Sequence, residues 1–347
     1  MVQVSGSLKK SILAPLRMPG VSKALSNLSG TNASIFMLHR FSSPGDNVSG
    51  HDPATVRAVL AHLRKEGYDF IALQEMFRRL RDGEPLRRAI AFTIDDGYFD
   101  HGLIAGPIFA EFDCPATIFA VTGFLDGMDW LWWDRTQFIC EETSKSQIIV
   151  RVGEEQRIFK LNSMPARQSA TRAINLWCQD ASHVDRSACL ANLAKDAEVE
   201  LPAKPPRRFA AISWDEARQI EKLGVVSFAP HTVTHPVLSS TTEEHARREI
   251  SESWKRVSAE LAYPVPIFCY PHGRQRDFGA REMDEVHRIG LWGGVRGYPG
   301  RFHPNDFREA PAICAVPRFP FSDNLVDILQ CVSGLETAKA RLRGARN

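Results

Sequence analysis

Short apolar runs alternate with longer stretches of helical periodicity along most of the chain. After Pro53, which suits the first turn of a helix, the apolar residues recur with helical spacing: Val56, Val59, Leu60 and Leu63. Five runs have the length and composition of buried strands: residues 35–38, 90–94, 117–121, 225–229 and 267–270. Strands that alternate with helices need crossover connections. The pattern therefore predicts a parallel α/β sheet or barrel, with its chemistry beyond the carboxyl ends of the strands.

The alternation breaks off between residues 126 and 208, where the chain becomes polar and irregular. Residues 148–152 and 157–161 flank Gly153 and predict a hairpin, which a helical stretch follows. We expect an inserted α+β segment that covers one side of the main fold, not an independent domain. The predicted parts are an N-terminal segment, a main fold in two pieces, the insertion and a C-terminal helix or tail: residues 1–34, 35–125 with 209–325, 126–208 and 326–347.

Composition narrows the class of protein. The 347 residues suffice for one large domain or two modest ones, and the 44% apolar and 24% charged fractions exclude a disordered or fibrous chain. Lys and Arg number 43 against 41 Asp and Glu, a net charge of +2, which argues against a protein built to hold nucleic acid. No run approaches the roughly 18 apolar residues that a membrane span needs.

The cysteines and the first residues bear on the compartment. The seven cysteines are scattered without a CxxC pair, so we expect reduced thiols rather than a disulfide framework or a zinc ribbon. Basic residues near the start are not followed by the apolar block of an export signal: Lys9, Lys10, Arg17 and Lys23. We expect a cytoplasmic protein with a loosely held first segment, and a weak contact with a membrane face is the alternative.

Two adjacent carboxylates, Asp95 and Asp96, stand with Gly97 at the end of the second predicted strand. Asp-Asp-Gly is by itself a common turn. Its place at the end of a buried strand favours a functional interpretation, because α/β folds collect their chemistry there. Neighbouring strand residues point in opposite directions. This suits one acid on a metal and the other as a base better than a facing pair of glycosidase acids.

A pair of histidines, His231 and His235, follows the fourth predicted strand. Two imidazoles four residues apart share one face of a helical turn, and Pro236 limits the segment to a single turn or loop. Such a pair alone is weak evidence. Together with the acids at another strand end, it predicts a metal site of two nitrogens and one carboxylate, open to water and substrate. A capping box at Thr241 and Glu244 is expected to begin the next helix.

A third element, Tyr270-Pro271-His272-Gly273, ends the fifth predicted strand. Proline and glycine shape a tight turn whose backbone N–H groups would face the site, although the same residues also suit a plain strand-ending turn. The His272 side chain fits a further ligand, a proton donor or an ordinary surface histidine.

Taken in order, these three elements resemble the polysaccharide deacetylase family, the metal-dependent carbohydrate N-deacetylases of the nodulation-protein type (carbohydrate esterase family four). The resemblance extends to Met-Leu-His-Arg at 37–40 and to Pro-Arg-Phe-Pro-Phe at 317–321. It covers most of residues 35–125 and 210–321 and omits the insertion. The ordered set is specific, whereas any single member would not be.

The resemblance implies a fold and a set of roles. The fold would be a distorted (β/α) barrel of about seven strands. Asp95 would be the catalytic base, and the backbone N–H of His272 would help to hold the oxyanion. A divalent metal, zinc foremost with cobalt or nickel as alternatives, would be held by Asp96, His231 and His235. The contacts with the substrate would include Tyr270, Pro271 and Arg318.

Two features depart from the family pattern. Many members carry an arginine ahead of the Pro-Tyr turn that orients the base, and this chain has Cys269 there. The family's Asp-Trp motif and the late Leu-x-His that supplies the acid are not evident. Some relatives without the arginine are thought to use a histidine of the first strand as the acid, and His39 matches that position. A packed strand-end histidine is the alternative.

The resulting hypothesis is hydrolysis of an N-acetyl group on an amino sugar in a glycan or glycan precursor. A metal-activated water attacks, Asp95 takes its proton, and His39 protonates the departing amine. Two alternatives remain: a metal-dependent amidase or deformylase acting on a lipid-linked or small substrate, and a non-catalytic carbohydrate-binding relative. Trp132 and Trp133 would either stack on a sugar ring or pack the insertion onto the barrel. The oligomeric state is left open.

Overall fold

A computed structural model describes residues 14–18, 20–29, 32–128, 130–299 and 303–335. The strands are β1 Asn32–Leu38, β2 Asp69–Phe70, β3 Arg87–Asp96, β4 Ala116–Ala120, β5 Gln147–Val152, β6 Glu155–Lys160, β7 Val226–Pro230, β8 Ile267–Cys269, β9 Gly293–Arg296, β10 Val316–Pro317 and β11 Phe319–Pro320. The helices are α1 Val21–Ser29, α2 Pro53–Lys65, α3 Leu73–Asp82, α4 Gly106–Glu111, α5 Thr122–Leu125, α6 Trp132–Glu142, α7 Met164–Asp180, α8 His183–Asp196, α9 Trp214–Glu221, α10 Glu243–Glu260, α11 Ala280–Arg288 and α12 Leu325–Val332.

Two parallel sheets make up the main fold. One runs in the order β11, β1, β3, β4, β7, with β2 beside the start of β3, and the other runs β10, β9, β8. The sheets adjoin where the Val265 N–H donates to the Phe228 carbonyl, and on the other side β10 and β11 are separated only by Arg318. The strands thus follow one another as in a distorted barrel, and among the described residues the ladder is interrupted between β7 and β8 and between β10 and β11. The predicted fold class is confirmed.

The apolar pattern explains how the elements pack. Helix α2 begins where the Asp52 side chain accepts from the Thr55 N–H, and its buried residues are those of the predicted stripe: Val56, Val59, Leu60 and Leu63. From Ala89 onward β3 is buried at every position, which is typical of a central parallel strand covered on both faces. Its carboxyl end, at Asp95 and Asp96, lines a pocket.

The insertion has a core of its own. The predicted hairpin is present as β5 and β6, and it packs with α6, α7 and α8 around buried residues that include Ile148, Val150, Ile174 and Leu193. The segment is therefore α+β, as expected. Its exact bounds, like the other domain bounds, stay a prediction, and Lys9, Lys10 and residues 336–347 lie outside the described residues.

Three details of the structure concern individual predictions. The capping box is wrong: Thr242 caps α10 by accepting from the His245 N–H, because the Thr241 hydroxyl donates to the Leu238 carbonyl in the preceding turn. None of the seven cysteines forms a disulfide. Within the described ranges, no helix combines the length and the apolar character required to cross a bilayer.

Candidate active site

The end of β3 presents two carboxylates to one pocket. Strand alternation would send Asp95 and Asp96 to opposite sides, but Asp96 has φ = 86° and Gly97 has φ = 92°, and both carboxylates line the same cavity. A side chain at Gly97 would bring its Cβ within 2.6 Å of Leu125 Cδ1, so both conformation and space favour glycine. The left-handed turn is what allows neighbouring acids to act at one site.

Asp96 meets the two histidines at the end of β7. The Nε2 atoms of His231 and His235 lie 3.8 and 3.5 Å from Asp96 Oδ1 and 3.2 Å from each other. All three side chains are buried, and they form a group with the spacing of a metal site. The His231 Nδ1–H donates to the Cys269 carbonyl at 2.8 Å, which leaves the Nε2 lone pair facing Asp96.

The histidines stand on a loop, as Pro236 predicted, and not on a helical turn. Thr232 and His235 have φ of 67° and 54°. Glu249 of α10, which is buried, accepts from two backbone N–H groups of this loop, at 2.8 and 2.9 Å, and from the Thr234 hydroxyl at 2.6 Å. Burial opposes the charge of Glu249, but these donors and His245 outweigh it and lower its pKa. Glu249 thus fixes the loop that carries both imidazoles.

These three residues fit a divalent cation. Burial lowers the pKa of His231 to about 4 and that of His235 well below its usual value, so both imidazoles are neutral and offer lone pairs. Burial, followed by the charge of Asp95, raises the pKa of Asp96, which marks a carboxylate that needs a positive partner to stay ionised. Two nitrogens and one carboxylate oxygen are a typical zinc donor set with open coordination positions. The three predicted ligands thus lie together, and their role as metal ligands stays a prediction.

Asp95 is held by Arg318, which lies between β10 and β11. Arg318 Nη1 donates to Asp95 Oδ1 at 2.6 Å and Nη2 to Oδ2 at 2.7 Å, a bidentate pair with no solvent exposure of the arginine. Burial opposes ionisation of Asp95, but the Arg318 guanidinium outweighs it and holds the pKa of this carboxyl below its usual range. Asp95 is therefore a carboxylate that stays ionised beside the Asp96 site.

The same contacts explain the departure at Cys269. Its Sγ lies 3.1 Å from Arg318 Nη2 and 3.7 Å from Asp95 Oδ2. The small thiol leaves room for a guanidinium that arrives from another strand, so the arginine missing at 269 is supplied by 318. Arg318 donates to Asp95, to the Thr93 hydroxyl and to the Arg296 carbonyl, and its predicted contact with substrate stays a prediction. The geometry makes it the residue that orients Asp95.

His39 lies across the pocket from Asp95. Its Nε2 is 3.9 Å from Asp95 Oδ2, and 48% of its side chain is exposed, so it is not a packed strand-end histidine. Hydrogen bonds hold the loop that carries His39. Asp100 accepts from Arg40 Nε at 2.9 Å and from the Phe41 N–H at 2.7 Å, and the His101 Nε2–H donates to the His39 carbonyl.

The third motif forms the tight turn that the sequence predicts. A Cβ at Gly273 would lie 2.1 Å from the Gly297 nitrogen, which requires glycine, and His272 has φ = 58°. Within the described residues the His272 backbone N–H makes no hydrogen bond. Tyr270 and Pro271 are buried, and the Tyr270 ring stacks on Phe278 at 3.9 Å. Their predicted contact with substrate stays a prediction, although Tyr270 does line the pocket.

Both tryptophans line the pocket, but in different settings. Trp133 packs against His235 with ring centroids 4.8 Å apart, and its Nε1–H donates to the Tyr98 hydroxyl at 2.8 Å. That hydroxyl donates in turn to Asp134 Oδ2 at 2.7 Å. Trp132 is half-buried beside His272, with centroids 6.1 Å apart. Trp133 therefore supports the histidine loop, and Trp132 lies beside the third motif.

Helix α7 supplies a wall that the sequence did not identify. The pocket holds about 630 Å³, and four α7 side chains line it: Arg172, Asn175, Leu176 and Gln179. These four residues have the spacing of one helix face. The sequence shows that spacing, but it does not indicate which face of the helix packs toward the barrel. The sequence also did not identify Glu249 and Arg318 as positioning residues, because the groups that they contact are distant along the chain.

Comparisons with known proteins agree with this description. Residues 179–286, which include both histidines and the third motif, match the family model for polysaccharide deacetylase. The structure is similar to a Streptococcus pyogenes deacetylase, PplD, solved in complex with acetate (TM-score 0.56, 17% identity, 87% of this chain and 99% of that one). It is also similar to IcaB from Ammonifex degensii (0.56, 14%, 88% and 98%) and to the BpsB deacetylase domain from Bordetella bronchiseptica (0.50, 15%, 84% and 96%).

No curated protein sequence matches the chain. At such identities the structural likenesses show a shared fold. The family match confirms the predicted resemblance and, with it, the predicted class of enzyme, a carbohydrate deacetylase among the hydrolases.

Proposed function

Since the chain carries a polysaccharide deacetylase domain, we propose that it hydrolyses an N-acetyl group on an amino sugar of a glycan or glycan precursor. The observation that carries the proposal is the convergence of Asp96, His231 and His235 next to the ionised, arginine-bound Asp95. Asp96, His231 and His235 supply the donors of a metal site, and Asp95 supplies an ionised base beside them. A binding protein would need neither.

Asp96, His231 and His235 are the residues that would hold the cation, for which zinc suits the donors best. When bound, a divalent ion there supplies Lewis acidity, which polarises an acetyl carbonyl and makes a nearby water more acidic. The histidines are neutral and buried, so the chain keeps their lone pairs free of protons at neutral pH.

Asp95 acts as the general base. It is ionised throughout the neutral range because Arg318 lowers its pKa, and the bidentate pair fixes the direction of its oxygens. Its carboxylate accepts the proton of the attacking water. Arg318 supports the reaction through its pair with Asp95.

Two further groups complete the proposed reaction. The His272 N–H makes no hydrogen bond within the described residues, which supports its role as a donor to the developing oxyanion. His39 faces Asp95 without belonging to the metal set, and it protonates the departing amine. The His272 side chain is a poor candidate for that acid, because burial lowers its pKa to about 3.

The shape of the pocket supports a sugar as substrate. Its 630 Å³ is within the range of ligand sites, and it combines the face of Trp132 with polar groups of α7. The similar Streptococcus pyogenes deacetylase was solved with acetate, the acid that this reaction would release.

The proposal is tested by acetate release from a panel of N-acetylglucosamine, its oligomers and lipid-linked N-acetyl sugars, using the full chain. We expect release from at least one member of the panel, its loss after treatment with a chelator, and its return when zinc is added. Release that a chelator leaves intact would contradict the metal-dependent reaction. Sugar binding without release would favour the carbohydrate-binding alternative.

A further inference from the structure

Helix α7 of the insertion turns a stripe of three polar side chains and one leucine toward the pocket. Residues 172, 175, 176 and 179 occupy one face and line the cavity. The opposite face, with Ala170, Ile174 and Cys178, is buried in the insertion's own core. The orientation of this helix is therefore set by apolar packing, which holds its other face against the turn formed by the third motif.

Gln179, at the end of this stripe, contacts the third motif directly. Its Nε2 lies 2.7 Å from Nδ1 of His272. With its amide nitrogen toward the ring, Gln179 donates and Nδ1 accepts, and the neutral imidazole then carries its proton on Nε2. This hydrogen bond joins the insertion to the turn that ends β8.

The other ring nitrogen of His272 has no partner. Nε2 is buried, and within the described residues it makes no hydrogen bond, although the side chain lines the pocket. The rings of Trp132, Trp133 and His235 lie around the imidazole, with centroids 6.1, 6.3 and 4.8 Å from the centroid of the His272 ring. None of these rings supplies an oxygen acceptor. A buried N–H without an acceptor is costly, and a ligand oxygen would remove that cost.

We infer that Gln179 is a positioning residue that sets the His272 tautomer, so that the His272 Nε2–H donates to an oxygen of the bound N-acetyl sugar. This inference rests on the proposed function and deepens it, because it assigns the insertion a part in recognising the substrate. Gln179 itself acts through His272. The acceptor is a neutral carbonyl or hydroxyl oxygen of the sugar.

The tautomer is measured by nitrogen NMR of the ¹⁵N-histidine-labelled full chain loaded with zinc, with His272→Asn to assign the signal. We expect the wild type to carry the proton on Nε2. Gln179→Glu places an acceptor at Nδ1 with nearly the same shape, and it should move the proton to Nδ1. A wild-type ring protonated on Nδ1, or a proton that Gln179→Glu leaves on Nε2, would overturn the assignment.

Kinetics measure the consequence. Gln179→Leu and Gln179→Glu should each lower kcat/KM for the best substrate of the panel by about 10- to 100-fold while metal content and melting temperature are kept. Gln137→Leu is the matched control and should keep wild-type kinetics. Among the described residues, the side chain of this half-buried glutamine of α6 donates only to Glu141 in its own helix. Wild-type kinetics in both Gln179 variants would overturn the inference. A wild type that releases no acetate at all would instead sink the proposed function, and the NMR result would still decide the tautomer.

Discussion

The two neighbouring aspartates differ because only one has a cation of the protein beside it. Burial by itself raises the pKa of both carboxyls. Arg318 reverses this for Asp95, whereas Asp96 faces two neutral imidazoles and the charge of Asp95. A pair of identical side chains thus divides into an ionised base and a carboxylate that needs a cation.

Replacing Arg318 with Gln should uncouple Asp95 from this control. With the guanidinium gone, burial dominates and the pKa of Asp95 rises. Activity should then fall as the pH drops through the raised pKa, while the wild type shows no loss from this group in the neutral range. We expect a decrease in kcat/KM of roughly 100-fold near pH 7.

The measurement is the pH dependence of kcat/KM, with Arg318→Lys as the partner variant. Lysine keeps the charge but not the bidentate geometry, so it should shift the acid limb less than Gln does. Identical pH profiles for the wild type and the Gln variant, in folded protein, would show that Arg318 does not set the charge of Asp95.

Asp134, the acceptor of the Tyr98 hydroxyl, should make stability depend on pH. Burial raises its pKa from 3.8 to about 7, so the folded state holds a proton that the unfolded chain releases above about pH 4. Its stabilising contribution is therefore complete below pH 4 and is lost as the pH rises toward 7. Asp134→Asn lacks this titration.

The test compares the melting temperatures of the wild type and Asp134→Asn from about pH 5 to pH 8. The difference should move in favour of the Asn variant as the pH rises and should level off above the pKa. A difference that stays constant over the whole range would mean that Asp134 is already ionised at pH 5.

At the scale of elements, the sequence predicted where the functional strands end, but not the contacts that Arg318 and Glu249 make with the residues at those ends. The apolar runs placed the three motifs at the ends of β3, β7 and β8, because buried parallel strands have a composition of their own. Strands β2, β9, β10 and β11 have only two to four residues, too few for a periodic signal. Arg318 lies between two of them, so its contact with Asp95 had no local mark. The contact of Glu249 with the loop at 231–235 depends on how a helix docks, which the sequence pattern does not fix.

Glu249 shows how a helix sets the geometry of a metal loop. Glu249→Gln keeps the size of the side chain but replaces one acceptor oxygen with an NH2 donor, where three donors already point. The loop should loosen, and we expect zinc affinity to fall by about 10- to 100-fold. Isothermal titration of the metal-stripped protein with zinc measures this. Glu252→Gln, an exposed position on the same helix, is the control and should bind like the wild type. Equal affinities for all three proteins would exclude this role.

At the scale of the molecule, the site joins parts that are far apart in the chain. The Asp96 end of β3 and the loop after β7 belong to the main sheet, whereas Cys269, which accepts from His231, ends β8 in the second sheet. The insertion then closes the pocket through α6 and α7. A cation held by Asp96, His231 and His235 would therefore tie strands together next to the gap between the two sheets.

Binding of a metal to the folded state alone should raise the melting temperature, and the gain should grow with metal concentration. We expect zinc to stabilise the wild type by about 3 kcal/mol when it is present at 100 times its dissociation constant. His235→Ala should lose most of this gain. Thermal unfolding with zinc and with chelator provides the measurement, and an equal gain in both proteins would place the binding elsewhere.

The most direct test of the central claim is the metal content of three purified proteins, measured together with their acetate release: the wild type, Asp95→Asn and Asp96→Asn. The wild type should hold a single divalent ion per chain and release acetate. Asp95→Asn should keep the ion but lose the reaction, and Asp96→Asn should lose both. An Asp96→Asn protein with a full complement of metal, or an Asp95→Asn protein with undiminished acetate release, would contradict the account.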